Sequence, residues 1–189
     1  MGILEWVYQL DISIIEGFKT FNAPLLLDYF MAFISTIGNA GLIWIVVSIT
    51  LLLFKKTRGI GIAAIIALIL NTVLVNLFLK PIFNRPRPYA IIEGIEYIIK
   101  TPSEPYSFPS GHASSSFAVA TAIYLTSFKN KFAYLALILA ALIAFARVYF
   151  CVHFPSDVII GSLIGILMGY IGYRSYLKLD KSFIKDKIV

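Results

Sequence analysis

Apolar runs separated by short charged or glycine- and proline-bearing segments recur along the chain. Six of them read as helices, over residues 24–38, 41–54, 59–79, 113–128, 132–152 and 157–177. The third, fifth and sixth come close to the ~20 apolar residues that a membrane-spanning helix needs. The first two reach only about 21–23 Å at the α-helical rise, and the first contains Asp28. Five spans with a re-entrant pair is therefore the alternative to six. Ahead of these runs, residues 3–21 mix apolar side chains with Glu5, Asp11, Glu16 and Lys19 and lack the basic start of a signal peptide. This segment is expected to form an interfacial amphipathic helix within residues 1–22. Trp6 stands where a myristoylated Met-Gly start would carry Ser or Thr.

Composition turns this pattern into a fold class. Hydrophobic residues make up 59% of the 189-residue chain and charged residues 14%, with a mean hydropathy of +0.86. A soluble domain of this size lacks the interior to hide so much apolar side chain. The expectation is an all-α polytopic membrane bundle of about six transmembrane helices, forming one domain over residues 1–189 with a cytoplasmic tail at 178–189.

The net charge of +6 does not point to nucleic acid, because the cations lie in the short segments between apolar runs. Lys55, Lys56 and Arg58, then Lys129 and Lys131, then Arg174, Lys178, Lys181, Lys185 and Lys187 all fall on one side, which the positive-inside tendency assigns to the cytoplasm. Lys80, Arg85, Arg87, Lys100 and Arg147 fall at the opposite end and break that tendency, which marks them for chemistry. The single cysteine, Cys151, excludes an intrachain disulfide and reads as an inert buried thiol.

Three segments at that opposite end carry the chemistry. Residues 80–88 hold Lys80, Arg85 and Arg87 among prolines 81, 86 and 88; residues 109–112 read Pro-Ser-Gly-His; residues 147–157 run from Arg147 through His153 to Asp157. Lys80, Arg87 and Arg147 supply cations enough for a phosphate dianion. Ser110 and Gly111 precede an apolar helix whose first amides can receive an anion, glycine permitting close approach. The chain has only two histidines, His112 and His153, and each lies in one of these segments. Phosphoryl transfer needs a nucleophile and a proton donor. His153, four residues before Asp157, is the better nucleophile, and His112 the better acid. Pro155 between His153 and Asp157 requires a turn there rather than a helix.

The ordered set of Lys, six residues, Arg-Pro; Pro-Ser-Gly-His; and Arg, five residues, His, three residues, Asp resembles the three-part signature of the type 2 phosphatidic acid phosphatase family, which shares its site with vanadium haloperoxidases. The motifs cover residues 80–157. One departure is Ala146, where the family usually has Ser before the third-motif Arg. The resemblance implies that His153 attacks phosphorus to give a phosphohistidine, assisted by Asp157. His112 then protonates the leaving group and later activates water, while Lys80, Arg87, Ser110, Gly111 and Arg147 hold the phosphoryl oxygens. It implies no cofactor and no metal. The implied substrate is a lipid phosphate or diphosphate reached from the extracytoplasmic side of the plasma membrane, with undecaprenyl diphosphate first, phosphatidylglycerophosphate or phosphatidic acid second and lipid A third. Loop 89–108 is expected to shape that choice.

Blander readings apply to the remaining polar residues. Arg85 is an extra to the signature and reads equally well as a headgroup anchor. Asn71 and Asn76 read as bonds to neighbouring helices, and Asp28 as an interfacial residue. Tyr89, Tyr106 and Tyr149 read as aromatic-belt residues, and Glu93, Glu96 and Glu104 as a solvated loop face. The rival functions are a haloperoxidase, a phosphotransferase with a second lipid as acceptor, and a non-catalytic lipid-binding or transport protein. Bromide oxidation with vanadate, the identity of the phosphate acceptor, and the fate of function in His153→Ala discriminate them in turn.

Overall fold

The computed structural model describes residues 2–95, 99, 104–127 and 130–185, and the side chains of all of these except residues 40 and 180–185. Glu96, Lys100, Lys129 and Lys187 lie outside the described residues, as do the side chains of Lys181 and Lys185. Among the described residues the chain is helical, in the order α1 Ile3–Lys19, α2 Leu25–Ile37, α3 Leu42–Leu53, α4 Arg58–Thr72, a π-helical stretch Val73–Leu79, α5 Lys80–Phe83, α6 Pro88–Ile91, α7 Gly111–Ser127, α8 Lys131–Tyr149 and α9 Pro155–Lys185.

Among the described residues, three helical units are long and apolar enough to cross a membrane: Arg58–Phe83, which joins α4, the π stretch and α5, then α8, and Pro155–Leu179 of α9. The protein is a multi-pass membrane protein. Helices α2 and α3 meet at 57° and reach spanning length only as a bent pair, which agrees with the re-entrant alternative rather than with two separate spans. The bend falls at Gly41, whose φ of 67° is left-handed backbone that glycine adopts without strain. Helix α9 runs past the expected end at residue 177 to Lys185. Leu26, Phe33, Ile49, Ile69, Ile138 and Leu163 point outward, the inverse of a soluble protein and the surface that lipid covers.

Helix α7 is central, packed on α4, α8 and α9. Without a hydrophobic drive between helices in lipid, close association depends on small residues and interhelical hydrogen bonds, and α7 uses both. Its alanines 113, 118, 120 and 122 are fully buried. Ser114 Oγ receives Asn71 Nδ2 of α4 at 3.1 Å, and Ser116 Oγ receives Trp44 Nε1 of α3 at 2.7 Å. On the facing side of α9, a Cβ at Gly161 would lie 2.7 Å from the Ser110 carbonyl, and one at Gly165 would collide with the Ser114 carbonyl. Only glycine lets these backbones meet. The seam puts the N-terminal turns of α7 and α9 side by side, and those turns carry the second and third motifs.

Candidate active site

The first motif begins where the π stretch ends. A π turn is a local over-insertion that commonly re-aims side chains at functional sites. Here it delivers Lys80, 7% exposed, into the bundle, where a Cβ on Gly111 would lie 3.7 Å from Lys80 Nζ. The helix then stops at Asn84, which has a left-handed φ of 45°. Beyond it the chain runs beside the segment from Glu104 to Ser107, tied to it by the Ser107 amide on the Arg85 carbonyl at 2.8 Å and a bridge between Pro86 and Tyr106. Arg87 is 2% exposed. Its Nε donates to the Glu104 carbonyl at 2.8 Å, and Nη1 donates to the Val152 carbonyl at 3.0 Å and lies 3.1 Å from His153 Nε2.

The third motif is a tight turn between α8 and α9. Arg147 closes it, since its carbonyl accepts from the amides of Val152 and His153 at 3.1 and 3.2 Å. The Arg147 side chain is also buried. Its Nη1 donates to Ser35 Oγ of α2 at 2.5 Å, and its Nε has no hydrogen-bond partner among the described residues. A buried guanidinium donor left unpaired favours an anion in its reach. Pro155 opens α9, where a missing amide costs nothing, and Asp157 sits in the first turn. Its Oδ2 accepts from the Phe154 amide at 2.9 Å, the acidic half of a capping box, and stands 3.6 Å from His153 Nδ1. That separation exceeds a hydrogen bond but leaves the carboxylate facing the ring.

The second motif joins these two. The Ser110 amide donates to the Asp157 carbonyl at 3.0 Å, and Ser110 Oγ accepts from the Ala113 amide at 3.4 Å as the start of α7. His112 projects from the first turn with Nε2 3.0 Å from Asn39 Oδ1, and a Cβ on Gly38 would lie 3.3 Å from its ring. The bend between α2 and α3 thus supports one histidine, and the turn after α8 holds the other.

Burial, then the positive charges of Arg87, Arg147 and Lys80, hold the His153 imidazole well below the ordinary histidine range, so it is neutral near neutral pH. Burial also lowers the Arg87 guanidinium. Cys151 is 3% exposed, and burial pushes its thiol up to about 11, which keeps it protonated and unreactive.

The structure brings together all eight residues singled out by motif: Lys80, Arg87, Ser110, Gly111, His112, Arg147, His153 and Asp157. Several bland readings change. Arg85 is no headgroup anchor, because it pairs with Asp157 and with Asp11 of α1. Glu104, expected on a solvated face, pairs its carboxylate with Lys80. Asp28 and Tyr149, each read as interfacial, are joined, the Tyr149 hydroxyl donating to the Asp28 carboxylate at 2.5 Å. Asn71 does bond a neighbouring helix, whereas Asn76 borders the motif residues, its Oδ1 lying 3.8 Å from where a Gly111 Cβ would be. Ser35, Asn39 and Asp11 were not singled out for chemistry by spacing. The one signal for Asp11 was a carboxylate on the apolar side of an amphipathic helix.

A family model described as PAP2 superfamily matches residues 60–181. The undecaprenyl-diphosphatase of Sulfolobus acidocaldarius is 35% identical over 162 residues, covering 85% of this chain and 77% of that protein. The lipid A 4'-phosphatase of Porphyromonas gingivalis is 30% identical over 188 residues, 92% of this chain and 76% of its own length. The crystal structure of Aquifex aeolicus LpxE superimposes with a TM-score of 0.73 at 33% identity, over 87% of this chain and 95% of that one.

Proposed function

The chain belongs to the PAP2 superfamily and is a membrane lipid phosphatase, a phosphoric ester hydrolase, and from that premise we propose that it works through a phosphohistidine on His153. The observation that carries this reading is the contact of Arg87 Nη1 with His153 Nε2 at 3.1 Å. A guanidinium only donates, so Nε2 must offer its lone pair and the proton must sit on Nδ1, facing Asp157. That is the nucleophilic tautomer, with its lone pair directed into the cations that would hold phosphate.

In the proposed reaction, Nε2 attacks phosphorus as the bond to the lipid oxygen breaks, and His112 gives its proton to that oxygen. Burial and the cations by themselves hold the His112 imidazole well below the ordinary range, and the negative charge of the bound phosphate favours its protonated form. Neutral His112 then takes a proton from water, whose oxygen attacks phosphorus, breaking the bond to Nε2 and releasing phosphate. Lys80, Arg87, Arg147, Ser110 and the Gly111 amide hold the phosphoryl oxygens, and Asp157 stabilises the positive charge that His153 acquires. The whole of residues 1–189 acts as one phosphatase domain. Its site opens to the extracytoplasmic face of the plasma membrane, so that a protease site in loop 89–108 is cut from outside the cell.

The leading substrate is undecaprenyl diphosphate, supported by the 35% identity to an undecaprenyl-diphosphatase. Lipid A is the second reading, supported by the relative from Porphyromonas gingivalis. The test is phosphate release in EDTA by detergent-purified protein, with undecaprenyl diphosphate, lipid A, phosphatidylglycerophosphate and phosphatidic acid side by side. Release from the first above the others, abolished in His153→Ala, is expected. Turnover that survives in His153→Ala would overturn the mechanism, and a faster rate on another lipid would overturn the substrate.

A further inference from the structure

Helix α1 carries one buried carboxylate. Asp11 is 2% exposed, whereas Glu5 and Glu16 on the same helix face outward. Burial of a lone carboxylate is costly, and Asp11 is fully engaged at the far end of the sequence. Its Oδ1 accepts from the Ser156 amide at 2.9 Å, and its Oδ2 accepts from Arg85 Nη2 at 2.8 Å and from the Ser156 hydroxyl. Arg85 passes the contact on. Its Nη1 donates to Asp157 Oδ1 at 2.6 Å and to Ser156 Oγ at 2.7 Å, and its guanidinium carbon lies 4.1 Å above the Phe154 ring. The remaining oxygen of Asp157 is the one that faces His153.

We propose that Asp11 and Arg85 are positioning residues of the phosphatase reaction, which together aim the Asp157 carboxylate and set the negative charge it presents to His153. The inference rests on the histidine mechanism proposed above. A guanidinium held by Asp157 alone would cancel the charge that steadies His153 as it becomes cationic. Shared between two carboxylates, the same guanidinium leaves one net negative charge beside the ring, while its planar fork still fixes the carboxylate. Asp11 therefore does more than moor α1: it keeps Arg85 from neutralising Asp157. The N-terminal helix, which the three motifs do not include, completes the catalytic end of the bundle.

The test uses the full chain in detergent with the fastest of the four lipid phosphates compared above, and orthovanadate inhibition as an independent reading of the phosphate cradle. Asp11→Asn is expected to lower kcat by about 10- to 100-fold, the usual effect of removing an outer partner of a functional side chain. KM and vanadate inhibition should stay within about threefold, because the cradle residues are untouched. Adding Arg85→Gln to Asp11→Asn removes the uncompensated cation and is expected to recover kcat by about threefold or more, a coupling that contacting charges produce. A purely structural role predicts that the double variant is no faster than the single one, and that result overturns the proposal, as does a wild-type kcat in Asp11→Asn. If Asp11→Asn does not elute as a folded protein, Arg85→Lys carries the test. It keeps the charge but loses the fork, so kcat should fall about tenfold with vanadate inhibition unchanged, and an unchanged kcat overturns the proposal. An active His153→Ala defeats the underlying mechanism, whereas an inactive His153→Ala beside a wild-type Asp11→Asn defeats this inference alone.

Discussion

His153 and His112 are the same side chain at different depths, and burial followed by the neighbouring cations holds both imidazoles well below the ordinary histidine range. His153 is 2% exposed, faces Asp157 and is touched by Arg87. The turn that carries it is closed by Arg147 and capped onto α9. His112 stands half-buried on the first turn of α7, bonded to Asn39 at a bend between two short helices. A group that must form a bond to phosphorus gains from being held at one distance and one tautomer. In the proposed reaction the other histidine gives a proton to the leaving lipid oxygen and then takes one from water, which calls for an opening to both. On the roles proposed above, the buried half of the site, beside the α7–α9 seam, would serve the nucleophile, and the more accessible half, at the α2–α3 bend, the acid.

The sharpest way to break that comparison is to remove each histidine. His153→Ala is expected to lower kcat by ~10⁴-fold or more on every lipid, as loss of a nucleophile does. His112→Ala should cost about 10²- to 10⁴-fold, and its deficit should shrink on an aryl phosphate, whose leaving oxygen needs no proton. Equal deficits on both substrates would remove the division of labour. The seam is tested by Gly165→Ala, expected to destabilise by about 1–3 kcal/mol through overpacking. Gly17→Ala, on an open helix face, should be neutral or stabilising by under ~1 kcal/mol; thermal unfolding in detergent compares them.

The smallest effect concerns protonation. Burial and three cations depress His153, so its ring should still be neutral near pH 6, below the ordinary value of about 6.5. Above that value both folded and unfolded chains hold a neutral ring and the site costs no stability. As pH falls below it the unfolded chain binds the proton first, so stability declines toward the folded value. Imidazole nitrogen NMR, assigned with His112→Asn, measures the titration. Lys80→Met, which removes one of the cations, should move it upward.

The sequence was informative where chemistry is written in short strings. Lys80, Arg87, His112, Arg147, His153 and Asp157 lie at fixed spacings beside helix ends, and each spacing translates into geometry without knowledge of the rest of the fold. Long apolar runs likewise revealed the helices, and the shortness of the first two left a re-entrant pair open beside two full spans; the choice depends on the turn at Gly41, which run length does not encode. The features that escaped depend on pairing across the chain. Asp11 reaches Arg85 over 74 positions and Ser156 over 145, and its own neighbours in sequence describe only an amphipathic helix. Glu104 reads as a loop carboxylate until the bridge between Pro86 and Tyr106 lays its segment along the first motif. The spacing of Gly161, Gly165 and Gly169 was a readable packing signal, and it explains why the second and third motifs lie side by side.

The π stretch Val73–Leu79 has a consequence for which changes the chain can absorb. A π turn holds one residue more than the α-helix would need, and each residue rotates the downstream helix by roughly 100°. Deleting a single apolar residue from this stretch would remove that surplus and close the turn to regular α-helix with Lys80 still beside Gly111. The same deletion in the plain α-helix upstream, with no surplus to give up, would swing Lys80 by roughly 100° around the axis. The π stretch is therefore slack in the count of residues that leads to the lysine, a place where the chain could lose one residue and keep the site armed, while a one-residue deletion in α4 would disarm it.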